Sequence, residues 1–89
     1  AYSAFYMSRL EFILRKIDVD TLLIGGIVTN GGVASTLRDA HVRDFRTVLL
    51  TDACAAFSRE VHDASIASLR SIGASMTCDE AARAMIKRA

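Results

Sequence analysis

Thr21–Ala40 reads TLLIGGIVTNGGVASTLRDA, a short apolar run that passes through two glycine pairs into a helix-like segment. Thr21 to Ile27 is apolar on both faces, as parallel strands covered by helices are. The glycines hand this strand to a helix over about Gly32 to Arg43. Such a junction gathers free backbone N–H groups and the positive end of a helix dipole at one point, which suits an anionic or oxyanionic group. The plainer account of the same glycines is mechanical: Gly25 and Gly26 allow close packing of strand and helix, and Gly31 and Gly32 allow a tight turn.

The pattern repeats on either side. Upstream, Tyr6, Leu10, Ile13, Leu14 and Ile17 recur at three- and four-residue steps, predicting a helix from Phe5 to Lys16 with an apolar stripe. Downstream, Thr47 to Thr51 is a second buried strand, DACAAF is a loop, and a helix follows from about Ser58 to Ser71 with Ser58 as N-cap and Gly73 ending it. Ser75 to Thr77 is a short third strand, and Thr77 with Glu80 makes a capping box that opens a last helix through Lys87. A helix followed by three strand–helix units predicts an α/β fold, a Rossmann-like parallel sheet with right-handed crossovers and helices on both faces in three layers.

Three strands are few for that architecture. A chain of 89 residues removes only about two thirds of its unfolded surface from water and leaves a hydrophobic sheet edge open. The expectation is one unit, residues 1–89, that is part of a larger fold or is completed by another chain or chain segment. A complete small domain that forms a homo-oligomer edge to edge is the alternative.

Composition narrows the partners. The chain is 52% hydrophobic, with 11 Lys and Arg against 10 Asp and Glu and a net charge of +1. No charge block argues for nucleic acid or a membrane surface, and the longest apolar runs fall far short of the roughly 20 residues that span a bilayer. The first residues lack a basic start and apolar middle, so the expected compartment is the cytoplasm. Cys54 and Cys78 have no CxxC or zinc-ligand spacing and are read as reduced thiols. His41 and His62 lie on expected helices without a companion ligand or base at diagnostic spacing, and no metal site or cofactor is expected. Arg38 and Asp39 are read as ordinary helix charges. Neither GxGxxG nor GK[ST] is present, which argues against nucleotide binding.

IGGIVTNGGVASTLRDA, followed by TVLLTDACAAFS and preceded by YSAF, resembles the isochorismatase-like hydrolase family. That family includes cysteine amidohydrolases acting on nicotinamide, N-carbamoylsarcosine and ureidoacrylate. The resemblance covers essentially the whole chain and corresponds to the C-terminal part of a single family domain. It implies a hydrolase acting on a small-molecule substrate by amide C–N or vinyl-ether cleavage.

The family's aspartate lies near the start of the full domain and its lysine just before the YSAF-like segment; neither position falls within these residues. Its nucleophilic cysteine stands two residues after the position of Asn30, where this sequence has Gly32. By resemblance, the Ile27–Val28 peptide bond is cis and the Val28 and Gly32 N–H groups form an oxyanion hole. Ile27, Thr29, Asn30, Tyr2 and Phe5 then line the substrate site, although packing serves Tyr2 and Phe5 equally well. A glycine cannot form a thioester.

Three meanings remain open for Gly32. The isochorismatases that cleave a vinyl ether also carry glycine there, and Phe57, Ser58 and His62 stand in matching order with theirs. Against that, VTN stands where those enzymes tend to carry an aromatic residue and a histidine. The other meanings are an unfamiliar glycine-type hydrolase, and an engineered or natural loss of function that leaves a binding or assembly module. In every case the isolated 89 residues are expected to be inactive.

Overall fold

The computed structural model describes residues 3–88. Helix α1 (Leu10–Lys16) leads into strand β1 (Thr21–Ile27), a single wide turn over Thr29–Val33, and helix α2 (Ala34–Val42). Strand β2 (Arg46–Ala55), helix α3 (Arg59–Leu69), strand β3 (Ala74–Met76) and helix α4 (Cys78–Arg88) complete it. The strands lie parallel in the order β1-β2-β3.

The core explains why these segments pair. Ile24 and Leu49 are register partners in the sheet, and both are buried. Val33, Leu37 and Ala40 from the first crossover, and Ile66 and Leu69 from the second, pack into the same cluster. Consecutive right-handed crossovers along one sheet direction put α2 and α3 on the same face, where one core serves both. The opposite side of β1 is open: Leu23 is 44% exposed and Ile27 78%. As an edge strand, β1 also leaves its outer backbone unpaired within the sheet.

Three boundaries differ from the sequence expectation. Helix α1 starts at Leu10 instead of Phe5. Met7 takes a φ of 47° and the Ser8 hydroxyl donates to the Ala4 carbonyl at 2.6 Å, so the turn before α1 is held by local polar bonds. Of the expected stripe, Leu10 and Leu14 pack against the core while Tyr6, Ile13 and Ile17 are exposed. Beside Leu10 and Leu14, charge ties α1 to the end of α2: Glu11 meets Arg43 at 3.0 Å and, within α1, Arg15 at 3.1 Å, and Arg15 stacks over Phe45. The Arg15 hydrogen bond, with Arg43 behind it, holds the Glu11 carboxyl below its usual range.

The second difference is β2, which runs on to Ala55 through most of the expected DACAAF loop. Its register with β1 jumps from Ile24–Leu49 to Gly26–Cys54, so β2 bulges between the two pairs. The third is the wide turn of Thr29–Val33, kinked at Gly31, that precedes α2. Elsewhere expectation and structure agree closely. The Ser58 hydroxyl accepts from the Val61 N–H at 3.2 Å, and Thr77 and Glu80 cap each other at 2.9 and 3.1 Å.

Candidate functional site

Two strand-to-helix junctions meet at the C-terminal edge of the sheet, where ligands of open parallel sheets bind. The first is made largely of backbone. Gly26 has a φ of 135°, a conformation that favours glycine, and the Ile27–Val28 peptide bond is cis. A Cβ at Gly25 would lie 3.0 Å from the Ala53 carbonyl oxygen in the β2 bulge, so the bulge presses where β1 has no side chain. After the cis bond, the Val28 carbonyl accepts from the Gly31 N–H at 3.0 Å and the Val33 N–H at 3.3 Å. Those occupied groups are neither of the two expected oxyanion donors, Val28 and Gly32. An open depression of about 380 Å³ lies beside the turn, lined by Gly32, Ile27, Gly25 and Ala4 among others.

The second junction is made of side chains. Thr51, Asp52, Cys54, Ser58, Arg59 and His62 line a depression of about 400 Å³, with Phe57 at its rim 96% exposed. Asp52 Oδ1 accepts from the Cys78 N–H at 2.8 Å, tying the end of β2 to the start of α4. That bond keeps the Asp52 carboxyl below its usual range.

Neither thiol sits where the thiolate is favoured among the described residues. Burial pushes the Cys54 thiol up, and its Sγ donates to the Leu50 carbonyl. Cys78 stands at a helix start, yet the hydrogen bond to Asp52 raises it as well. Both surroundings disfavour the thiolate, the form a nucleophile needs.

The junctions are joined by one bond. Thr29 Oγ1 and His62 Nδ1 lie 2.8 Å apart, across 33 residues of sequence. Thr29 is 0% exposed, so its side chain does not line a substrate surface as expected; the hydroxyl is spent inside the fold. Of the two roles left open for Phe5, packing holds and the substrate role does not. Phe5 packs in the core 6.0 Å from the Phe45 ring, with the Arg43 guanidinium over its own ring at 5.1 Å. Tyr2 lies outside the described residues. Ile27 and Asn30 are exposed, and Val28 and Gly32 are half-buried at the turn.

No spacing in the sequence connects Thr29 with His62, and His62 carried no assigned role there. The order Phe57, Ser58, His62 was the only hint. His41 is exposed in the last turn of α2, and Asp39 and Arg38 bind Arg43 and Ser68. Among the described residues no group of three or more His, Cys, Asp or Glu is arranged to hold a metal, and no helix is long and apolar enough to cross a membrane.

With the cis junction and the parallel sheet in place, the sequence matches the isochorismatase domain over residues 1–81. The chain belongs to the isochorismatase family. Nicotinamidase 3 of Arabidopsis thaliana is 35% identical over 86 residues, 96% of this chain and 43% of that protein. A probable inactive nicotinamidase of the same plant is 36% identical over 73 residues, 81% of this chain and 37% of its own length. The crystal structure of an isochorismatase-like hydrolase from Alkaliphilus metalliredigens superimposes with a TM-score of 0.93 at 28% identity, covering 96% of this chain and 48% of that one. The chain thus spans less than half the length of these relatives.

Proposed function

We propose that the protein containing these residues hydrolyses an amide C–N or vinyl-ether bond in a small metabolite, without a covalent thioester intermediate. The observation that carries this reading is the backbone turn at the first junction, where half-buried Val28 and Gly32 stand beside an open depression at the C-terminal edge of the sheet; by resemblance, Gly32 stands where the family's amidohydrolases carry cysteine. Backbone N–H donors need no side chain, so a cradle at Val28 and Gly32 survives that substitution and serves an oxygen on which negative charge develops. The proton chemistry comes from an acid or base outside the 89 residues. The surroundings of Cys54 and Cys78, which push both thiols up, favour a route that does not use a thiol.

The test is a pair of proteins and a substrate panel. The full-length protein is expected to turn over a member of a set of small amides and vinyl ethers, and the isolated 89-residue chain none. Turnover by the isolated chain would refute the external acid or base. In the full-length protein, Gly32→Cys is expected to leave native activity without thiol-dependent amide hydrolysis. A gain of thiol-dependent hydrolysis instead marks a lost nucleophile.

A second reading is a module that keeps the fold and binds without turning over. The relative described as a probable inactive nicotinamidase favours it, since this family includes chains of that kind. Absence of turnover across the panel by the full-length protein, with a bound small molecule retained on purification, would select this reading.

A further inference from the structure

The Thr29–His62 bond has the geometry of a nucleophile and its base, at 2.8 Å. Burial forbids that role, because a hydroxyl with 0% exposure meets no substrate atom. The pair is therefore structural chemistry placed at a functional edge. A buried hydroxyl without a partner is costly, and His62 is the partner that removes the penalty.

Thr29 is β-branched, so its side-chain torsion is stiff and its hydroxyl direction is coupled to its own backbone. Pinning that hydroxyl restrains the direction of the Thr29 Cα–Cβ bond and so limits how far the peptide planes on both sides of Thr29 can turn. One plane carries the Val28 carbonyl, which in turn receives the Gly31 and Val33 N–H groups. The anchor at the other end is firm: α3 is capped by Ser58 and buries Ile66 and Leu69 in the core. We propose that His62 is a positioning residue for the cradle, holding the Val28–Gly32 backbone in register with α3 through the Thr29 hydroxyl. The proposal rests on the hydrolase reading for its effect on turnover, but not for the coupling itself.

His62 also borders the depression after β2, so direct contact with substrate is the rival role. The two nitrogens of the ring separate them. An asparagine side chain places an amide near the Nδ1 position and preserves the bond to Thr29, whereas a glutamine places it near Nε2. In the full-length protein, His62→Ala and Thr29→Val are expected to lower kcat about ten- to a hundredfold with little change in KM, since a misplaced donor weakens transition-state binding. His62→Asn should recover most of that loss and His62→Gln should not. Rescue by Gln and not Asn, or a loss confined to KM, would overturn positioning in favour of substrate contact.

A spectroscopic arm needs no substrate and so decides the coupling even where no turnover is found. The ¹H–¹⁵N resonances of Val28, Gly31 and Gly32 should shift in His62→Ala and return toward the native positions in His62→Asn. Unmoved resonances in a folded His62→Ala protein would refute the coupling. If His62→Ala does not fold, Thr29→Ser carries the test: it keeps the hydroxyl but loosens the torsion, and the same three resonances are expected to shift or broaden. No change at those resonances in Thr29→Ser would count against the proposal.

Discussion

The junction after β1 and the junction after β2 solve the same topological problem in opposite ways. The first turns the chain with backbone: a left-handed Gly26, a cis bond, a wide turn and a buried Thr29. The second turns it with side chains: a serine cap, an aspartate tie to α4 and an exposed phenylalanine. The difference teaches where tolerance lies. A junction built from backbone conformation fails when a side chain is added, while one built from side chains fails when they are removed.

Additions at the first junction should therefore have the largest effect. Gly25→Val pushes branched carbon into the Ala53 carbonyl and Cβ, which stand 3.0 and 3.1 Å from the Cβ position. Thermal or denaturant unfolding of the full-length protein should show a loss of about 1–3 kcal/mol, as overpacking usually costs. Stability within experimental error of the native protein would show that the bulge gives way freely. Next in size, Ser58→Ala removes the cap of α3 and should cost about 1 kcal/mol by the same measurement. An unchanged midpoint there would mean that core contacts alone hold the start of α3.

The smallest effect concerns acid. The Asp52 carboxyl is lowered in the folded state by the Cys78 N–H, so its contribution is present above the unfolded carboxylate value and disappears as pH falls through the folded one. Comparing native protein with Asp52→Asn across an acid titration should show two curves that converge at low pH. Parallel curves would assign the tie no ionic component.

Much of this contrast was legible in the sequence, though unevenly. Thr21–Ile27 declared itself as an unbroken apolar run, although within these residues Ile24 alone of it is buried and its other side stays open, and Ser58 and the Thr77–Glu80 pair declared themselves because capping is local chemistry. The end of β2 was hidden. Its residues past Thr51 lose the apolar run, and only pairing with Gly26 and Ile27 makes them a strand. The early start expected for α1 failed for a related reason, since periodicity cannot see the Ser8 bond to Ala4 that competes with a helical turn. At the site, the family resemblance put Thr29 on the substrate surface and left Phe5 open between that surface and packing, because residue type does not reveal which way a side chain faces.

The turn at Val28–Gly32 has a consequence for how the region is interrogated. Systematic alanine scanning reports on side chains, and two of these five positions are glycines with none to remove. Apart from Thr29, whose hydroxyl anchors the turn to His62, a cradle of peptide groups would give such a scan little to remove. Backbone chemistry is what reaches it: an amide-to-ester replacement at Gly32, made by semisynthesis, deletes a single N–H while leaving every side chain in place.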